Sequence, residues 1–151
     1  MTDPSAARLP SVDLTTARDL LRRAGEARTL AYAPYSGFPV GAALLATDGR
    51  VFTGVNVENA SYGLSTCAER TAVVRAMAEG ARAFEAIAVV GPDDGPPCPP
   101  CGSCRQILHE IAPDLLVITS TETGDPGVAY LRDLLPFAFD GRGLPPPTLG
   151  P

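Results

Sequence analysis

The apolar positions of the chain fall into two periods. Across residues 13–31, Ala17, Leu20, Leu21, Ala24, Ala27 and Ala31 recur at helical spacing, with Arg18, Arg22, Arg23, Glu26 and Arg28 largely off that stripe, which predicts an amphipathic helix. Residues 40–46 and 51–57 are short apolar runs separated by Thr47-Asp48-Gly49-Arg50, and Asp-Gly between two such runs predicts a β-hairpin. Residues 84–90 are apolar on both faces and read as an interior strand; 115–120 reads as a further strand, and a short segment, 130–135, stops at Pro136. Two more helices lie between. One is capped by Ser65 or Thr66 and runs to about Glu79, with Gly80 as its stop; the other opens within Pro100-Cys101-Gly102-Ser103-Cys104 and continues through Ile111. Helix, strand, strand, helix, strand, helix, strand predicts an α/β sandwich whose hairpin makes the sheet mixed.

Two polar interruptions stand out against this pattern. Residues 32–39 break the first helix with two prolines and a glycine, yet carry Tyr32, Tyr35 and Phe38. Their rings either clamp the loop to the core or, for Phe38, wall a pocket for a flat ligand. At the end of the second strand, alternation puts Asn56 and Glu58 on one side, as a surface strand end or as a pair able to grip vicinal hydroxyls.

Composition narrows the class. A chain of 151 residues, 45% hydrophobic and 19% charged, can bury one core without covalent staples. We expect a lead-in over residues 1–12, one domain over 13–140, and a Pro/Gly-rich tail over 141–151. All 12 basic residues are arginine, and the formal charge of −5 disfavours a polyanionic partner such as nucleic acid. The absence of a signal-like or membrane-spanning apolar run points to the cytoplasm, where four cysteines serve metal binding or catalysis more readily than disulfides.

Those cysteines sit at 67, 98, 101 and 104. Cys67 and the pair Cys101 and Cys104 fall in the first turns of two predicted helices, where free N–H groups and the positive helix end favour thiolate over thiol. Three thiolates can hold a zinc ion with its fourth position open, and Glu69, two residues from Cys67, supplies a carboxylate beside it. That combination points to a hydrolytic site. Cys98 leaves a rival open, a closed four-cysteine zinc site without catalysis, although Pro99-Pro100 holds its backbone extended. His109, the single histidine, lies more than a turn beyond Cys104 and reads as an ordinary helix residue, which leaves a Cys-His thiol hydrolase without its base.

Asn56-Val57-Glu58-Asn59-Ala60, Cys67-Ala68-Glu69-Arg70 and Pro100-Cys101-Gly102-Ser103-Cys104-Arg105-Gln106, with residues 35–43 in register, resemble the motifs of the small, homotetrameric, zinc-dependent cytidine deaminases. The resemblance spans residues 32–139. It implies a three-layer α/β/α sandwich with a mixed sheet of about five strands, and a small nucleoside as the partner molecule. It further implies Zn2+ on Cys67, Cys101 and Cys104, Glu69 as the proton shuttle, and Arg70 tempering the charge of the thiolates. Asn56 and Glu58 would hold the ribose hydroxyls, Ala60 would offer backbone contacts near the base, and Phe38 would pack on the ring. Phe139 would cover a neighbouring subunit's pocket. A deaminase of an aminonucleoside such as blasticidin S shares the cysteine and glutamate motifs, and is the related alternative.

Overall fold

The computed structural model describes residues 12–144; most of the expected lead-in and tail, residues 1–11 and 145–151, lies outside the described residues. The elements are α1 (Leu14–Arg28), β1 (Gly41–Ala46), β2 (Val51–Val55), α2 (Ala68–Ala78), β3 (Phe84–Val90), α3 (Gly102–Ile111), β4 (Leu116–Ser120), β5 (Pro126–Tyr130) and α4 (Leu131–Leu134). The sheet runs in the order β2-β1-β3-β4-β5, antiparallel except for the parallel pair β3 and β4 that α3 connects. It is mixed and five-stranded, as expected.

Alternation along the central strands makes the three layers. Ala42 and Leu44 of β1 with Ile87 and Val89 of β3 face the core under α2 and α3, which also takes Ala72, Val73, Ala76 and Leu108. Their neighbours Ala43, Leu45, Ala86 and Ala88 face the opposite core, closed by Ala17, Leu20 and Ala24 of α1. Every β1 residue is therefore buried. Two glycines let helices approach the sheet closely. A Cβ at Gly41 would lie 1.9 Å from the Ala24 carbonyl oxygen of α1, and one at Gly54 would lie 2.3 Å from the Ala68 oxygen of α2.

Several boundaries differ from the sequence expectation, each for a local reason. The first helix ends at Arg28 rather than at residue 31, because Leu30 and Ala31 bond back three residues, to Ala27 and Arg28, and tighten the chain out of the helix. Ser65 and Thr66 do not cap α2. The Ser65 hydroxyl accepts from the Asn59 N–H, the Thr66 backbone exchanges two bonds of 2.9 Å with Val57, and Cys67 becomes the N-cap. The third helix begins at Gly102, leaving Pro100 buried in the extended approach. The segment 130–135 is divided between the end of β5 and α4.

Candidate active site

The thiol corner is assembled by two helix starts on one edge of the sheet. Cys67 caps α2 and Cys101 caps α3, neither with a side-chain capping bond, so first-turn N–H groups at both ends are free to face sulfur. Cys104 follows one turn into α3 and is fully buried. The three Sγ atoms lie within 4.8 Å of one another, close enough for one ion to bind all three. Among the described residues, Cys98 is outside that trio, although it lines the same small cavity of about 160 Å³ as Cys67, Glu69 and Cys101. His109, half-buried on α3, is also outside it.

Burial dominates the electrostatics here. It pushes the Cys104 and Cys67 thiols up from their ordinary value. At Cys101 burial also raises the thiol, but the N–H groups of Cys104 and Ser103 and the Cys104 thiol outweigh it, and the net shift is downward. Glu69, only 5% exposed, has its carboxyl pushed above the usual range, again mainly by burial, against opposing pulls from its own N–H, Cys104 and Arg70. Arg70 donates to the Ser103 hydroxyl across the gap between α2 and α3. Its Nε is buried without an acceptor. Three converging sulfurs and an adjacent orphaned cationic donor fit a zinc tri-thiolate, which would supply both the ligands and the missing negative charge.

The other wall of the cleft is built from two loops. The Tyr32 N–H donates to the Asn56 carbonyl and the Glu58 N–H returns a bond to Tyr32, so residues 32–39 lie alongside the end of β2. Asn56 then spends its side chain on this loop, Oδ1 accepting from the Val40 N–H at 2.8 Å and Nδ2 donating to the Phe38 carbonyl at 2.9 Å. Glu58 accepts from the Tyr35 N–H at 2.9 Å, the Ser36 N–H at 3.1 Å and the Ser36 hydroxyl. The Ser36 hydroxyl, followed by the two N–H groups, holds its carboxyl below the ordinary range. Asn56 and Glu58 line a cavity of about 430 Å³ together with Tyr35, Ser36, Tyr62 and Cys67.

The sequence-predicted residues divide accordingly. Cys67, Cys101, Cys104, Glu69 and Arg70 come together, and Asn56 and Glu58 border them. Ala60 is exposed and lines neither cavity; Phe38 also lines neither, being half exposed with its ring edge toward Gly91. Phe139 is exposed at the far end of the chain. Sequence reasoning gave Tyr35 only a clamping role in its loop and assigned no role to Ser36 or Tyr62. Ser36 and Tyr35, which hold Glu58, are distant from it in sequence, and nothing in the local pattern of the loop pairs them with it.

An α/β/α sandwich presenting three converging thiols at two helix starts defines a zinc-site protein of the deaminase type. Residues 14–120 match the family model described as the cytidine and deoxycytidylate deaminase zinc-binding region. The chain is 52% identical over 126 residues to a cytidine deaminase of Halalkalibacterium halodurans, covering 83% of this chain and 95% of that one. A crystal structure of cytidine deaminase from Burkholderia pseudomallei superposes with a TM-score of 0.75 at 55% identity, covering 80% of this chain and 97% of that one. One from Mycobacterium tuberculosis gives 0.73 at 44%, covering 86% and 99%. This chain belongs to the cytidine deaminase family, and its cofactor is Zn2+.

Proposed function

We propose that the chain catalyses the hydrolytic deamination of cytidine and deoxycytidine to uridine and deoxyuridine, with residues 13–140 as the catalytic unit. Water is consumed and ammonia released, as in pyrimidine salvage in the cytoplasm. The observation that carries the reading is the buried Glu69 carboxylate in one small cavity with Cys67 and Cys101, beside the buried Cys104. Cys67, Cys101 and Cys104 would hold the zinc ion, which when bound would supply a Lewis acid that makes water acidic near neutrality. Glu69 would take one proton from the attacking water as its oxygen bonds to C4 and deliver it to N3 of the pyrimidine; it would then pass the remaining hydroxyl proton to the exocyclic amine, so that C4=O forms as the C4–N bond breaks and ammonia leaves. Arg70, with its unpartnered Nε, offsets the charge of the thiolates.

The wider cavity favours a nucleoside over a nucleotide. Among the described residues its lining includes the Glu58 carboxylate and no arginine, lysine or histidine to compensate a 5′-phosphate. Asn56 and Glu58 hold the ribose, Ala60 offers its backbone near the base, and Phe38 flanks the ring. Exposed apolar side chains, among them Leu30, Tyr62, Leu64, Phe137 and Phe139, suit burial between copies of the chain. We assign a homotetramer in which Phe139 covers a neighbour's pocket.

The test is the ultraviolet absorbance change of cytidine, deoxycytidine, deoxycytidylate and blasticidin S with purified enzyme. Conversion of the first two and not the third is expected; blasticidin S as the sole substrate would establish the alternative. In parallel, Glu69→Gln should keep about one zinc per chain while kcat falls roughly 10²- to 10⁴-fold. Full activity in that variant would remove Glu69 from the mechanism.

A further inference from the structure

The helix that carries two of the three thiols also holds the chain's C-terminal phenylalanine segment. Arg105, one residue past Cys104, donates through Nε to the Pro100 carbonyl at 2.8 Å and through a terminal nitrogen to the Leu134 carbonyl at 2.7 Å. Gln106 donates through Nε2 to the Phe139 carbonyl at 2.8 Å. The approach to Cys101, the end of α4 and the backbone of Phe139 are thus tied to adjacent residues of α3.

Between the two tethered carbonyls the chain makes an uncommon bend. Phe137 has φ of 55°, the one positive value among the described residues other than glycine, and its side chain is fully exposed. Left-handed backbone at a bulky residue costs roughly 1–2 kcal/mol and persists where its surroundings impose it. Bonds to Leu134 and Phe139 on either side of the bend are such an imposition. The segment has little else to hold it: Phe139 is itself 69% exposed, so burial in its own chain does little to fix the ring.

We propose that Gln106, backed by Arg105, is a positioning residue that fixes the Phe139 ring in register with its own chain's thiol corner. Its effect is exerted on the pocket that this ring covers. The inference rests on the reading that Phe139 closes the pocket of a second copy, and adds to it the device that aims the ring. A side-chain amide is suited to the task because it holds the backbone of residue 139 and leaves the ring free to enter the partner's cleft.

The experiment compares Gln106→Glu, isosteric but without an N–H to donate, with Phe139→Ala and the double variant, all loaded with zinc. Gln106→Glu is expected to raise KM for cytidine roughly three- to ten-fold, the loss of one neutral hydrogen bond. Its kcat, zinc content and Tm should stay near those of the parent. The double variant should match Phe139→Ala alone, because a residue that acts by aiming a ring has nothing to aim once the ring is gone. Additive effects, or zinc loss in Gln106→Glu, would show that the residue acts through the fold or the metal and overturn the proposal. So would an unchanged KM in Gln106→Glu while Phe139→Ala raises it. If Phe139→Ala leaves KM unchanged, the reading of the covering ring fails first and the proposal falls with it, a result distinguishable from the others.

Discussion

The thiol corner and the wall of residues 32–39 face one cleft and share Asn56 and Cys67 as borders, but different physics holds each in place. The corner is organised from behind: α2 and α3 pack on the central strands, and the buried Ala68, Glu69 and Cys104 of their first turns carry Cys67 and the exposed Cys101 with them as a consequence of packing. The wall is organised from the side, by polar groups. Hydrogen bonds involving Asn56, Glu58 and Tyr32 fasten a loop whose rings are about half exposed. On the proposed assignment, chemistry that needs sub-ångström placement would occupy the packed region, and recognition that can be gained or lost bond by bond the hydrogen-bonded one.

That contrast can be broken most forcefully at Cys104. Cys104→Ala removes a fully buried sulfur from α3, and is expected to drop zinc well below one per chain and to abolish ammonia release, with a lower Tm. Metal analysis and calorimetry on one preparation check it; retained stoichiometric zinc would mean that Cys98 can replace a member of the trio. A substitution in the wall should be gentler and of another kind. Glu58→Gln replaces one acceptor oxygen by an amide nitrogen, so the side chain can no longer accept the Ser36 hydroxyl on one oxygen while holding the Tyr35 and Ser36 N–H groups on the other, and it should raise KM roughly 10- to 100-fold with zinc retained. A fall in zinc content would mean that the two regions are mechanically one.

The smallest effect concerns acid. Glu58 has its carboxyl lowered from the ordinary 4.5, chiefly by the Ser36 hydroxyl, so its support of the loop is fully present above that value. It is lost only as pH falls through the lower value in the folded protein. Amide exchange of Tyr35 and Ser36 should therefore stay protected down to about pH 4.5 and open below it, with little change between pH 5 and 8. Opening near neutrality would contradict a charge-based anchor.

How much of this was legible beforehand follows the same division. The corner could be read from the chain because its residues are local: Cys67 and Glu69 share a turn, Cys101 and Cys104 share another, and helical periodicity locates both. The hairpin was equally plain, with Asp48-Gly49 at its tip and Gly49 at φ of 87°. Harder to see was β5, whose Pro126 and Gly127 argue against a strand; it forms at the sheet edge by pairing with β4. The caps of α2 went wrong because Ser65 and Thr66 had contacts with Asn59 and Val57 that no local pattern reveals. Asn56 and Glu58 were picked out as polar and co-facing, yet their grip on residues 35–40 depends on the fold bringing that loop back beside them.

Gly54 works as a reference face does in machining. With no Cβ, it allows the backbone of β2 to serve as a datum surface on which α2 is seated, the Ala68 oxygen and Ala72 nitrogen lying where a side chain would have intervened. Cys67 stands one residue ahead of that seat, so the sulfur's position is gauged from a main-chain contact as well as from the side chains that pack α2 on the sheet. Side chains in a core can shift rotamer to absorb error, whereas a zinc–sulfur bond of about 2.3 Å accepts an error of only about 0.2 Å. Seating the helix on bare backbone removes the compressible layer from the stack of tolerances between the sheet and the metal.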